Sequence, residues 1–144
     1  MRDRILNMLG LMRRASAVEI GETNTGAAVR AGKAKLLFLA SDASENARSR
    51  AEGFVYGRNT IMTELPFTKI EISQHVGVNG CSMLAITDIG FANAVVKLLS
   101  ELMPEKYTPV SQAVDERFKK AEKRKKEAAA HEKNKRIGKR RNNA

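Results

Sequence analysis

The chain has 144 residues, enough for one domain of ordinary size with sequence to spare, which excludes a multidomain enzyme. Its net charge of +10 is unevenly placed: residues 1–103 hold 12 basic and 10 acidic side chains, residues 104–144 hold 14 and 6. A nearly neutral body with a strongly basic tail is the asymmetry expected of a protein that meets a polyanion, whereas a single Cys81 and only two histidines, His75 and His131, exclude a disulfide framework and the usual zinc sites.

The first element follows Asp3, where Ile5, Leu6, Leu9 and Met12 recur at helical spacing and predict a short amphipathic helix. Basic residues flank its apolar stretch on both sides, unlike a signal peptide, and no apolar run approaches the roughly 18–20 residues of a spanning helix, so a cytoplasmic chain is expected. Gly21 to Ala31 reads as a second helix with a small, polar first turn and with Gly32 at the position of a left-handed C-cap. Leu36 to Ala40 is a continuous apolar run of strand length, suited to a central strand covered on both faces.

Asp42-Ala43-Ser44-Glu45 has the spacing of a capping box, with Asp42 expected to cap a helix running to about Tyr56. Thr60 to Leu65 alternates as a second strand. Thr68 to Glu71 is another capping box, opening a short helix that Gly77 ends. Val78-Asn79-Gly80 is turn material, Ser82 to Thr87 is a third strand, and Asp88 is placed to cap a last helix with the stripe Phe91, Val95, Leu98, Leu99 and Leu102, stopped by Pro104. This order predicts an α/β fold, a three-layer α/β/α sandwich around a small mixed or parallel sheet, plus a basic C-terminal tail. The body is taken as residues 1–103 and the tail as 104–144. Beyond Val114, Phe118 and Ala121 the tail has no apolar stripe, so Asp115 to Lys139 is expected as a fluctuating helix or disorder, and the last residues as disordered.

No catalytic constellation is visible: there is no GxSxG, Walker A or dinucleotide fingerprint, and His75 has no second histidine in the body to pair with. His75 reads as an ordinary packed or surface residue and Cys81 as a small buried one. Gly21-Glu22-Thr23-Asn24-Thr25-Gly26 puts small, polar side chains and the free backbone N–H groups of a helix start on one surface, a pattern that fits an ordinary helix start as well as a place to meet phosphates or base edges. The tail cations, Lys123, Arg124, Lys125, Lys126, Lys135, Arg136, Lys139, Arg140 and Arg141, serve solubility or contact nucleic-acid phosphates, and their excess favours the second role.

Three stretches, MLGLMRRASAVEIGE, AVRAGKAKLLFLASDASENARSR and VGVNGCSMLAITDIGFA, together resemble the bacterial YlxQ-like branch of the kink-turn-binding ribosomal protein superfamily, the L-seven-Ae and L-thirty-e proteins. The resemblance covers residues 4 to about 102. It implies an α/β/α sandwich that binds ribosomal or other structured RNA, kink-turns above all, with no cofactor and no reaction; the sequence leaves the oligomeric state open, with a monomer favoured. By position it places RNA contacts on Gly21, Glu22, Thr23 and Asn24 at the second helix start and on Gly77, Val78, Asn79 and Gly80 in the loop before the last strand. Tandem sheared G·A pairs present base edges that helix-end side chains reach, while Val78 would cover an extruded base. The chain departs from the tight binders of the superfamily, which have an Asn-Glu or Lys-Gln pair at Thr23-Asn24 and a lysine at Ala27. Arg30 or Lys33 is the nearby source of substitute charge. The alternative function is a protein-interaction module in a ribonucleoprotein or transcription/translation assembly.

Overall fold

In the computed structural model, the backbone is described for residues 1–142 and side chains for residues 1–137. The elements in order are α1 (Arg2–Arg14), β1 (Val18–Ile20), α2 (Glu22–Arg30), β2 (Leu36–Leu39), α3 (Glu45–Val55), β3 (Ile61–Glu64), α4 (Lys69–Val76), β4 (Met83–Ile86), α5 (Ile89–Leu102) and α6 (Pro104–Asn142). The sheet order is β1-β4-β2-β3, with β2 and β3 parallel and the other two pairs antiparallel.

The sandwich arises from the period of two in the central strands. Along β2, Leu36 and Phe38 point into one core and Leu37 and Leu39 into the other. The first core is closed by α1, α4, α5 and the start of α6, through Ile5, Leu9, Ile72, Val76, Val95, Leu99, Tyr107 and Val114. The second, made by α2 and α3, is thinner and lined by Ala28, Val29, Ala47 and Ala51. Small residues there allow close helix approach. A Cβ on Gly26 would stand 2.8 Å from the Phe54 ring, so only glycine lets α2 and α3 pack at this spacing.

Two expectations are corrected. The sheet gains β1, a three-residue edge strand whose Val18 pairs with Ile86 and Ile20 with Leu84; so short a run carries too little alternation to be read from sequence. Ser44, not Asp42, caps α3, its hydroxyl accepting from the Ala47 N–H at 3.1 Å, because the helix starts two residues later than the spacing suggested. Asp42 Oδ1 accepts instead from the backbone N–H of Lys69 at 2.8 Å, at the start of α4.

The segment expected as a tail begins with a docked helix. Pro104 does end α5, but it also occupies the first position of α6, where its missing N–H has no helical partner to lose. Tyr107, Val110, Val114, Phe118 and Ala121 then form a stripe along α6, with Tyr107 and Val114 fully buried. The Tyr107 hydroxyl donates to the Glu64 carbonyl, tying α6 to the end of β3. Burial pushes the Tyr107 phenol up to about 12, with the Glu64 carboxylate adding to the shift, so it remains a donor across the physiological range. Docking this first half bears the cost of helix nucleation, and the Lys-, Glu- and Ala-rich remainder then extends one residue at a time. At 39 residues α6 is about 58 Å long, and residues 123–137 are exposed along their whole length. The side chains of Lys139, Arg140 and Arg141 lie outside the described ones, as do residues 143–144 altogether.

Candidate nucleic-acid interface

Gly21 turns the chain from β1 into α2 with φ +91°, a backbone angle that side-chain-bearing residues rarely adopt. Its N–H donates to the Met83 carbonyl at 3.1 Å, which pins the start of α2 to the start of β4. No side chain caps α2 and its first intrahelical bond is donated by Thr25, which leaves the N–H groups of Glu22, Thr23 and Asn24 facing outward. The dipole of the helix adds a partial positive charge at the same spot.

The loop from Gly77 to Gly80 is held from both sides. Gly77 ends α4 with φ +76°, and Arg13 of α1 donates its guanidinium to the Val76 carbonyl. Gly77 is required for the angle; a Cβ there would meet only the movable end of the Arg13 side chain, at 2.8 Å. At the other side, Ser73 Oγ donates to the Lys69 carbonyl at 2.6 Å and accepts from the Cys81 N–H at 3.3 Å. Val78 is half-buried, whereas Asn79 and Gly80 are exposed. Burial raises the Cys81 thiol above its ordinary range, and its Sγ donates to the Met83 carbonyl at 3.4 Å, so it is a neutral packed side chain.

These two segments meet in a groove of about 890 Å3. Glu22 comes from α2, Asn79, Gly80 and Ser82 from the loop, Asp42 and Ser44 from the β2–α3 turn, Arg50 from α3, and Lys69, Ile70, Ser73 and Gln74 from α4. The predicted pairing of the second helix start with the loop before the last strand is thus a spatial fact for Glu22, Asn79 and Gly80. Thr23 and Asn24 are exposed in the same first turn, and Asn24 Nδ2 donates to the Ile20 carbonyl at 3.0 Å, leaving the carboxamide oxygen as an acceptor. Ala27 is exposed one turn further on. Arg30 and Lys33 are not in the groove. They lie at the far end of α2, where the Arg30 guanidinium sits 5.9 Å from the centre of the Phe54 ring.

Residues on α3 and α4 were not foreseen. Arg50 pairs with Glu22 at 2.7 Å across the groove, which neutralises the one carboxylate the helix start contributes. Ile70 is 69% exposed, a large apolar side chain standing at the groove wall where sequence reasoning had looked to Val78 for an apolar surface. Position two of a capped helix gives no sign of this exposure; only the packing of α4 on α1 turns Ile70 outward. Among the described residues no group of three or more His, Cys, Asp or Glu side chains comes together to hold a metal ion, and no helix is long and apolar enough to cross a membrane.

The architecture defines a small three-layer α/β/α domain that carries an uncapped helix start and a glycine-flanked loop at one edge of its sheet. A solved structure of a protein of unknown function from Bacillus halodurans shares this fold, with a TM-score of 0.61 over 67% of this chain and 96% of that one, at 22% identity. No protein-family model matches the chain. Curated relatives do: the RNA-binding protein YlxQ of Enterococcus faecium is 35% identical over 98 residues, 68% of this chain and 93% of that protein, and YlxQ of Bacillus subtilis is 31% identical over 96 residues, 64% and 91%. The chain belongs to the YlxQ family.

Proposed function

We propose that this protein is a noncatalytic, cytoplasmic RNA-binding protein that recognises structured RNA of kink-turn type, ribosomal or other, through the groove between the start of α2 and the α4–β4 loop. The observation that carries the reading is the convergence of Glu22, Asn79 and Gly80 on one groove, in a chain whose relatives are named RNA-binding proteins. The outward N–H groups of Glu22, Thr23 and Asn24 receive phosphate or base-edge acceptors. The Asn24 carboxamide oxygen takes an exocyclic amine, and Ile70 at the groove wall, or the half-buried Val78 in the α4–β4 loop, offers an apolar surface on which an unstacked base rests. The groove holds both donors and acceptors, which suits the reading of base edges better than the gripping of backbone charge alone.

The test is a binding titration against a kink-turn hairpin and against the same hairpin with its sheared G·A pairs replaced by Watson–Crick pairs. The native hairpin is expected to bind at least about tenfold tighter, the equivalent of one charge-assisted hydrogen bond. Asn24→Ala and Val78→Asp should each remove most of that preference while leaving thermal stability within about 0.5 kcal/mol for the exposed Asn24. Equal affinity for the two hairpins in the unmodified protein overturns the kink-turn reading, and salt-insensitive retention of a protein partner in place of RNA favours an interaction module.

A further inference from the structure

A second recess lies at the opposite end of the sheet. Where the groove opens beyond the last residues of β2, at Asp42, this cleft opens before its first, at Lys35. It holds about 710 Å3 between the α3–β3 loop and the middle of α6. Five cations line it, Lys35, Arg58, Arg117, Lys120 and Arg124, and no carboxylate does. Among the described residues none of the five makes a salt bridge, although eight other basic side chains do.

Two of the five have a structural task that leaves their charge intact. Arg58 Nη1 donates to the Val29 and Arg30 carbonyls at the end of α2, each at 3.4 Å, and Arg117 Nη1 donates to the Asn59 carbonyl. Neutral carbonyls orient these guanidinium forks without cancelling them, and the remaining N–H groups are free for a ligand. Lys35, Lys120 and Arg124 make no side-chain hydrogen bond among the described residues, so the fold gives no reason for three like charges to converge there. Arg117, Lys120 and Arg124 stand at helical spacing on one face of α6, and the basic, exposed half of that helix continues from the cleft mouth. Tyr56, 87% exposed, sits two residues before Arg58 on the same loop and offers a ring for base stacking.

We infer that this cleft is a second RNA-binding surface, which grips the phosphate backbone of a segment other than the one held in the groove. The inference rests on the reading of the chain as an RNA-binding protein and adds a second site to it. A row of lysines and arginines unpaired among the described residues, with no carboxylate and only Asn59 and Thr60 as uncharged polar side chains, has the chemistry for phosphodiester oxygens more than for reading bases. The cleft also exists only because α6 is docked beside Lys35 and Arg58. With 98 residues making 93% of its length, the Enterococcus faecium relative has about 105 residues, room for a span like α1–α5 and not for a further 39-residue helix. This chain therefore builds a contact surface for which that relative has too little sequence.

The experiment titrates the full chain with two labelled RNAs, a minimal kink-turn hairpin and the same hairpin with an extended flanking stem, between 50 and 200 mM salt. The variant Lys35→Glu/Lys120→Glu/Arg124→Glu leaves Arg58 and Arg117 to hold their carbonyls. It should weaken the extended RNA about tenfold or more and lower its slope of log affinity against log salt by about 2–3, with little change for the minimal hairpin. The triple glutamine variant, which adds no repulsion, should move the same way by less, with an unchanged thermal midpoint in both. Equal loss on both RNAs, or no loss on either, overturns the second site. A protein that fails to distinguish the kink-turn from its disrupted version yet loses the extended RNA in these variants retains the cleft and discards the groove reading.

Discussion

The two ends of the sheet are built from similar materials to different effect. The groove mixes signs and types: Glu22 is paired with Arg50, Asp42 accepts from the Lys69 N–H, hydroxyls and two carboxamides line it with them, and Ile70 stands bare at the wall. The cleft holds one sign only, unpaired among the described residues. Donors and acceptors at fixed places discriminate among ligands, whereas uniform positive charge attracts any phosphate backbone and does so in a salt-dependent way. On the proposed reading the contrast separates specificity from affinity at the two ends of one short strand, β2, of about 13 Å.

The largest expected effect breaks the comparison at its mechanical joint. Tyr107→Ala empties a fully buried site and removes the hydroxyl that holds α6 to the Glu64 carbonyl. Chemical denaturation should show a loss of about 3–5 kcal/mol, the range for large aromatic truncations. In whatever fraction stays folded, the salt slope should fall while the ranking of RNA targets persists. A stability loss below about 1 kcal/mol would mean that α6 is not part of the cooperative unit.

Cutting the chain after Glu122 sharpens the same contrast without touching the core, since the described side chains beyond it are exposed. Affinity for the hairpin with the extended stem should drop about tenfold or more at physiological salt, each lost phosphate contact taking about 0.7–0.9 from the salt slope. Filter binding over a salt series checks this, and a changed ranking of targets would show that the helix reads sequence.

At the groove end, Ala27→Lys adds a charge one helical turn from Thr23, at an exposed position. Kink-turn affinity measured by calorimetry should rise by about 1 kcal/mol if a charge-assisted hydrogen bond forms, with no gain on the disrupted hairpin.

The smallest effect is acidic. The Thr68 backbone N–H, helped by the Thr68 hydroxyl and by Arg2, holds the Glu71 carboxyl below its usual value of 4.5 at the start of α4. Lys119, with Asn93 and Lys97, holds Asp115 below its usual 3.8 where α6 meets α5. Both groups bind protons more readily when unfolded, so their stabilisation is present above about pH 4.5 and is lost as pH falls through the lower folded values. Thermal midpoints followed from pH 6 to 3 should fall, less steeply in Thr68→Ala, which removes one of the hydrogen bonds holding Glu71 down, while a parallel fall in both proteins would assign the acid sensitivity elsewhere.

Much of the body was legible in the sequence because its signals are local. The run Leu36 to Ala40 specified a central strand, Thr68 and Glu71 closed the capping box they spelled, Gly77 took the left-handed angle, and Asp88 capped α5, its carboxylate accepting from the Phe91 N–H at 2.9 Å. The charge split between body and tail was likewise visible from counting alone, and resemblance to a family pointed to the α2 start and the α4–β4 loop. What required the tertiary structure is whatever depends on residues distant in the chain. β1 exists because Val18 and Ile20 pair with β4 more than 60 residues away, and Asp42, two residues ahead of the Ser44 cap, accepts instead from the Lys69 N–H at 2.8 Å. Ile70 is exposed, Arg50 pairs with Glu22, and the segment read as a fluctuating helix or disorder is preceded by Tyr107 and Val114, which enter the core. Periodicity and capping rules report the energy of a residue with its near neighbours, but the choice between competing partners is made by burial and by long-range hydrogen bonds, which no window of sequence contains.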